Sequence, residues 1–316
     1  MKKKLISILI PFYNEEKTLE KLFTELKDVE KELLDEYNFE ILLLDNHSND
    51  TSVTIAKDLS VKFQNVKLIR HSRNFGYQAN ILSGYNKCNG DAAVQLDADG
   101  QDDPKLIKEF IKNWEMGYQV VYGVRKKRKE SFINSFLRKI FYRLLYNIAD
   151  INIPIDAGDF RLVDRKVINI LNNFKEKNIY LRGLISYIGF NQLGVDYERR
   201  ERKKGVSKFN FVQNLKLAFI AITSFSKKPL IVIFYIGLVF FFISLLLSIF
   251  YLVLFISSNI EVRGFTTLII ISLLFFGITF LFLGIISLYL GQIQDEVKRR
   301  PLYIIESDND DEKDKR

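Results

Sequence analysis

The sequence predicts an α/β protein with a mostly parallel, doubly wound sheet domain, then amphipathic juxtamembrane helices and a two-helix transmembrane hairpin. Three observations lead there. Short apolar runs alternate with segments of helical spacing from Leu5 to Val124, the pattern of stacked βαβ units. Polar residues follow directly on several of those runs, where parallel sheets bind ligands. Two stretches in the last third, 229–257 and 265–290, are almost wholly apolar.

In chain order, Leu5 to Pro11 reads as a strand. Glu16 to Leu34 reads as a helix, with Leu19, Leu22, Phe23, Leu26, Val29 and Leu33 on one face. Phe39 to Leu44 is a second strand, Thr51 to Val61 a helix and Val66 to Arg70 a third strand. Gln78 to Lys87 is a helix and Ala92 to Leu96 a fourth strand; Pro104 to Glu115 is helical and Gln119 to Val124 a strand. Tyr13-Asn14-Glu15, Asp45, Arg73 and Asp97-Ala98-Asp99 all fall just after strands and are expected to converge on one crevice. Ser131 to Ile148 and Phe209 to Ser226 have amphipathic spacing suited to a membrane interface or to packing on the core. The tail from Ser307 to Arg316 is highly charged and is expected to be disordered.

Each apolar stretch exceeds the roughly 20 residues that a membrane-spanning helix needs. The short connection 258–264 makes them a hairpin. Lys227 and Lys228 before it, and Lys298, Arg299 and Arg300 after it, place both long ends in the cytoplasm. The implied organisation is a cytoplasmic domain over 1–208, a juxtamembrane segment over 209–228, spans at 229–257 and 265–290, and a cytoplasmic tail over 291–316. The opening Met1-Lys2-Lys3-Lys4 resembles a signal-peptide start, but its apolar run stops at Pro11 with no small-residue cleavage site, so a first strand is expected. Cys88 is the only cysteine, so no intramolecular disulfide forms, as suits a reducing compartment. The net charge of +8 points to an anionic membrane surface or phosphorylated substrates. No nucleic-acid-binding module is present, so nucleic acid is not expected as a partner.

The chemistry centres on Asp97-Ala98-Asp99. Two carboxylates at a strand end suit a hard cation, Mg²⁺ or Mn²⁺, which shares its shell with substrate phosphates. Asp45 and Glu15 are placed to accept hydrogen bonds from a base or ribose. Arg125, Arg128, Arg199 and Arg202 are candidates to clamp a further phosphate, since guanidinium binds phosphate bidentately. His47 and His71 are the only histidines, and with no cysteine or histidine cluster beside them they read as local hydrogen-bonding residues rather than zinc ligands.

These motifs, taken as an ordered set, resemble the family 2 glycosyltransferases, and specifically their polyprenyl-phosphate branch with two C-terminal transmembrane helices. That branch includes dolichol-phosphate mannose synthase and the bactoprenol glucosyltransferases. The resemblance rests on Ile8 to Glu16, Asp45 to Thr51, Arg73 to Gly76 and Asp97 to Pro104. It continues through Ala157 to Leu162, Leu181-Arg182-Gly183, Tyr197-Glu198-Arg199 with Arg202, Gly205, Ser207 and Lys208, and the ending Tyr289 to Tyr303. It implies a GT-A (Rossmann-like) fold, a nucleotide-sugar donor, for which a UDP-hexose is expected, and a polyprenyl (undecaprenyl) phosphate acceptor at the inner cell membrane. It implies nucleotide contacts at Pro11, Tyr13, Asn14, Glu15, Asp45, Arg73 and Asp97, and a metal held by Asp97, Asp99 and Gln101. Asp159 and Asp99 are the implied catalytic residues, with Asp159 an orienting group before a general base. Arg125, Arg128, Arg202, Ser207 and Lys208 are implied near the acceptor phosphate. A homotetramer is compatible with the resemblance.

Two rival functions share parts of this pattern. A processive polysaccharide synthase of the same fold carries Gln-x-x-Arg-Trp, whereas the single tryptophan here, Trp114, stands in Lys112-Asn113-Trp114-Glu115. A membrane scaffold or lipid-carrier flippase subunit without transferase activity is the non-enzymatic alternative. A flippase needs polar residues within its spans, and these have almost none beyond Ser, Thr and Tyr.

Overall fold

The computed structural model describes residues 3–125, 157–177, 179–200 and 264–308, with scattered positions within 235–253. Eight strands form one mixed sheet: β1 (Lys4–Phe12), β2 (Tyr37–Asp45), β3 (Val66–His71), β4 (Ala92–Gln95), β5 (Val120–Arg125), β6 (Ala157–Asp164), β7 (Gln192–Tyr197) and β8 (Ile305–Asp308). Their order is β7-β5-β6-β4-β1-β2-β3-β8. The helices are α1 (Leu19–Leu33), α2 (Ser52–Lys62), α3 (Tyr77–Lys87), α4 (Ile107–Glu115), α5 (Arg165–Leu171), α6 (Leu181–Ile188) and α7 (Phe265–Val297).

Strands β1, β2, β3 and β4 are parallel to one another, and both faces of this half are covered by helices. That is why its strands are continuous apolar runs rather than alternating ones. Along β1, Ile6, Ile8 and Ile10 join the core beneath α1 and α4, together with Leu22, Phe23, Leu26, Phe110 and Trp114. Leu9, and Leu42 and Leu44 of β2, face the opposite core with Ile81 and Tyr85 of α3 and Val167, Ile168 and Leu184 of α5 and α6. Each such side chain contributes about 1.5–3 kcal/mol by leaving water. Pro11 lies beyond Leu9, the last β1 residue in register with β4, so its missing N–H disrupts no ladder there.

The chain runs from β1 to β2 and β3 on one side, then returns to place β4 on the other side of β1. The carboxyl ends of β1 and β4 therefore bound the point where strand order reverses, the usual binding crevice of such sheets.

The structure changes the sequence reading in several places. The sheet is mostly parallel, as expected, but two strands run against it: β6 is antiparallel between β4 and β5, and β8 is antiparallel to β3. Asp159 and Arg161 interrupt the apolar pattern of β6, so periodicity alone does not reveal that strand. Helix α1 begins at Leu19 rather than Glu16, because Asn14 stands at φ 55 and Thr18 and Leu19 donate back to the Glu15 carbonyl. Before α4, Pro104–Leu106 form a single 3₁₀ turn whose first free N–H, on Lys105, is capped by Asp103. The tail is ordered further than expected, since Ser307 and Asp308 belong to β8 and Asp308 pairs with Lys87 at 2.9 Å.

Helix α7 continues past the expected end at Leu290 to Val297; Arg299 at φ 46 and Pro301 then stop it. Its segment Phe275–Val297 is, among the described residues, the one helix long and apolar enough to cross a membrane. Of the two expected spans, the first, 229–257, lies mostly outside the described residues. The amphipathic segments 131–148 and 209–226 lie outside them entirely.

Candidate active site

The loops after β1, β2 and β3 are tied together by their own side chains. Asn14 N donates to Ser48 Oγ (3.0 Å), Asn49 N to Asn14 Oδ1 (2.8 Å) and Glu15 N to Ser52 Oγ (2.8 Å). Asn46 bridges onward: its Nδ2 donates to Asn74 Oδ1 (3.0 Å) and its Oδ1 accepts from Phe75 N (3.0 Å). Asp45, the last residue of β2, is fully buried, and its Oδ1 accepts from Ser48 N at 2.8 Å. Its Oδ2 lies 3.5 Å from Arg70 Nε yet has no hydrogen-bond partner. Burial raises its carboxyl above the usual range, against the bonds from Ser48 and the charge of Arg70. Arg73 is exposed and stacks on the Phe75 ring at 4.1 Å.

Two backbone turns at the end of β4 present the acidic pair. Leu96 N donates to Leu9 O (2.9 Å), and the chain leaves the sheet at Asp97. Asp97 Oδ1 accepts from Tyr77 Oη at 2.5 Å, and that hydroxyl in turn accepts from Gln95 Nε2 at 2.9 Å. Gly100 at φ +68 turns the loop so that Gln101 N reaches Asp99 Oδ1 at 3.0 Å. The Gln101 carbonyl accepts from Arg200 N at 2.9 Å, so the loop after β7 is stapled to the acidic turn.

Arg199 reinforces the staple, with Nη2 3.5 Å from Asp99 Oδ2 and Nε 3.1 Å from Asp102 Oδ1. Asp102 is fully buried; it also accepts from Tyr197 Oη at 2.5 Å, and its Oδ2 has no partner. Arg199 is therefore engaged by the acidic turn.

Asp159, on β6, receives both arms of Arg182 on α6, from Nε at 2.8 Å and Nη2 at 2.6 Å. Arg161 Nη2 stands 3.7 Å away, while donating to Gly158 O at 2.9 Å. Burial pushes the Asp159 carboxyl up, but Arg182, Arg161 and Arg125 together hold it well below the usual carboxylate range. Asp97 shows the opposite balance. Burial first, then repulsion from Asp159, Asp102 and Asp99, lifts it to about 7 against the Tyr77 bond. Arg125, at the end of β5, has a buried Nε with no hydrogen-bond partner.

Asp97, Asp99, Asp102 and Asp159 thus form an acidic cluster bordered by arginines. Among the described residues no group of three or more His, Cys, Asp or Glu is arranged to hold a metal alone. Two strand-end carboxylates in a repelling cluster fit a cation that completes its shell with substrate phosphates, the usual habit of Mg²⁺. The histidines serve local bonds: His47 Nδ1 lies 3.1 Å from His71 O, and His71 Nε2 lies 3.0 Å from Ser83 Oγ.

The structure brings together Pro11, Tyr13, Asn14, Glu15, Asp45, Arg73, Asp97, Asp99, Gln101, Arg125 and Asp159 at one end of the sheet. Arg128, Arg202, Ser207 and Lys208 lie outside the described residues. Tyr77 and Arg182 were not assigned roles by sequence. Arg182 stood within a quoted motif, whereas Tyr77 carried no signal, because its meaning depends on a contact with Asp97 twenty residues away.

The family model for glycosyl transferase family 2 matches residues 7–171. The chain is 44% identical over 306 residues to the uncharacterized glycosyltransferase YkcC of Bacillus subtilis (strain 168), covering 95% of this chain and 93% of the relative. It is 37% identical to the putative glycosyltransferase CsbB of the same organism, over 99% and 95% of the two chains. It is 32% identical to the SfII prophage-derived bactoprenol glucosyl transferase of Shigella flexneri, over 95% and 97%. The chain belongs to the family 2 glycosyltransferases, and it is an enzyme of that class.

Proposed function

We propose that this enzyme transfers one sugar, with inversion, from a nucleotide-diphosphate sugar to polyprenyl phosphate at the cytoplasmic face of the membrane. The donor we assign is a UDP-hexose, the acceptor is undecaprenyl phosphate, and the product serves cell-envelope glycan or glycolipid modification. The observation that carries the reading is the juxtaposition, in one crevice, of the Asp97–Asp99 turn and the arginine-engaged Asp159. The likeness to a bactoprenol glucosyl transferase supports the acceptor class.

In this reading the loops after β1 and β2 hold the nucleoside, with Asp45 and Glu15 as acceptors and Pro11, Tyr13, Asn14 and Arg73 shaping the pocket. Asp97, Asp99 and Gln101 would hold Mg²⁺ or Mn²⁺. When bound, that cation would neutralise the diphosphate and improve it as a leaving group. Asp159 stays ionised, but with both oxygens on Arg182 it is a weak base, so its role is to orient guanidinium groups. That suits the acceptor. A phosphate monoester has a second pKa of about 6 and needs orientation and desolvation more than deprotonation. A buried, unpartnered Arg125 Nε is a costly arrangement that an acceptor phosphate would relieve. Arg128, Arg202, Ser207 and Lys208 are assigned to the same phosphate. Positioning and electrostatics then supply most of the rate.

The membrane hairpin belongs to this proposal, with a cytoplasmic catalytic domain over 1–208, a juxtamembrane segment over 209–228 and spans at 229–257 and 265–290. An edge-on contact between Phe240 and Phe275, with ring centroids 6.0 Å apart, supports pairing of the two apolar stretches. The test is sugar transfer by the purified full-length chain in detergent, with undecaprenyl phosphate, Mg²⁺ or Mn²⁺ and a panel of labelled nucleotide sugars. A labelled, acid-labile lipid formed from one donor and lost with EDTA is expected. No lipid product from any donor would overturn the reading. Light scattering on the same sample reads the assembly, for which we propose a homotetramer.

A further inference from the structure

The segment that follows the membrane-type helix is built into the catalytic domain. Lys177 N donates to Glu296 Oε1 at 2.6 Å and Lys177 Nζ to Arg300 O at 3.0 Å, fastening the helix exit. Ser72 N donates to Ile304 O at 3.0 Å, and the Tyr303 ring stacks on buried His71 with centroids 5.4 Å apart. Asn86 Nδ2 donates to Tyr303 Oη at 3.1 Å. Strand β8 then lies along the outer edge of β3, and this placement sets Glu306 beside the nucleoside end of the site.

There Glu306 Oε2 is 3.2 Å from Arg70 Nε and 3.8 Å from His47 Nδ1. The same Arg70 Nε is 3.5 Å from Asp45 Oδ2, a fully buried oxygen without a hydrogen-bond partner. Arg70 Nε thus stands in ion-pair range of two carboxylates, hydrogen-bonded to neither, and lies nearer the one that comes from the C-terminal strand.

We propose that Glu306 is a positioning residue of the donor site: by drawing the Arg70 guanidinium outward it leaves the Asp45 carboxylate available to accept hydrogen bonds from the donor's nucleoside. Without Glu306, Arg70 closes on Asp45 and competes with the nucleoside for the same oxygen. The C-terminal strand is then part of the donor pocket, and the end of the membrane helix is tied to it through a few residues. This rests on the reading that Asp45 contacts the nucleotide.

The experiment uses the full-length protein in detergent and measures the Kd of UDP with Mn²⁺, the inhibition constant of inorganic pyrophosphate, and the thermal midpoint. The variants are Glu306→Gln, Glu306→Asp, Asp45→Asn and Arg70→Gln, with the double variant Glu306→Gln/Arg70→Gln. Glu306→Gln is expected to weaken UDP about three- to five-fold, the size of a partly exposed charge pair, with pyrophosphate inhibition unchanged. Glu306→Asp is expected to restore part of the loss. Glu306→Gln is expected to add nothing once Arg70 is Gln. Wild-type UDP affinity in Glu306→Gln, with Asp45→Asn weakened, would overturn the inference and leave the role of Asp45 standing. Wild-type affinity in Asp45→Asn would remove the reading beneath it. Equal loss of UDP and pyrophosphate binding with a lowered thermal midpoint would reduce Glu306 to a structural role and also overturn it.

Discussion

Asp97 and Asp159 are half-buried carboxylates in one crevice, and their surroundings drive them in opposite directions. Both are pushed up by burial. Around Asp97 the next contributions are three more carboxylates, and its carboxyl rises to about 7. Around Asp159 they are Arg182, Arg161 and Arg125, and its carboxyl falls well below the usual range. Depth is similar, so the partners decide. A carboxyl among carboxylates is suited to receive a cation, whereas one clasped by a bidentate arginine is suited to hold guanidinium groups in place.

The comparison breaks most severely if the acidic turn is dispensable. Asp99→Asn is expected to lower transfer by about 10²–10³-fold, the scale of losing a major electrostatic contact to a developing charge, read in the labelled-lipid assay. Full activity in that variant would remove the turn from the chemistry. Next in size is the arginine clamp. Arg182→Ala leaves Asp159 without its bidentate partner and is expected to cost about 3 kcal/mol of stability, measured by chemical denaturation. Arg182→Lys should recover only part of it, because an ammonium cannot make both bonds.

The two carboxylates also predict stability slopes of opposite sign with pH. Asp97 is raised in the folded state, so its contribution is present below the unfolded pKa and is lost as pH rises through about 7. Asp159 is depressed, so its contribution is present above the unfolded pKa and is lost as pH falls. In EDTA, Asp97→Asn should therefore become more stable relative to the parent at pH 8 than at pH 5. Asp159→Asn should lose most near neutrality and least in acid. Denaturation midpoints at the two pH values check both, and parallel slopes would void the contrast. The smallest effect is expected at Tyr77→Phe, which removes one donor from Asp97 and costs about 1 kcal/mol, again by denaturation. An increase in half-saturating Mn²⁺ in the same variant would tie Tyr77 to the turn's function.

Much of the parallel half was legible because its signals are local. The runs at β1, β2 and β4 are largely apolar and buried on both faces, and polar residues close or follow each of them at the crevice. The antiparallel half was not. Strand β6 carries Asp159 and Arg161 at consecutive-face positions, so its pattern looks polar until Phe160 and Leu162 are seen in one core and Val163 in the other. Strand β8 is a charged tetrapeptide, Ile305-Glu306-Ser307-Asp308, that pairs only because α7 and the strap after it deliver it to the edge of β3. The ion pairs of Arg199 were not legible, because nothing in its neighbourhood along the chain announces Asp99 or Asp102.

The sequence by itself determined the strand–helix alternation, the strand-end location of Asp45, Asp97 and Asp99, the apolar stretches and the family, since each depends on spacing and on neighbours along the chain. The tertiary structure alone decided that Asp159 is clasped by Arg182, that Tyr77 holds Asp97, and that Glu306 of β8 meets the same Arg70 that approaches Asp45. Those outcomes depend on which charges meet across the sheet, and the energy of a charge is set by its distance from others in space rather than in sequence.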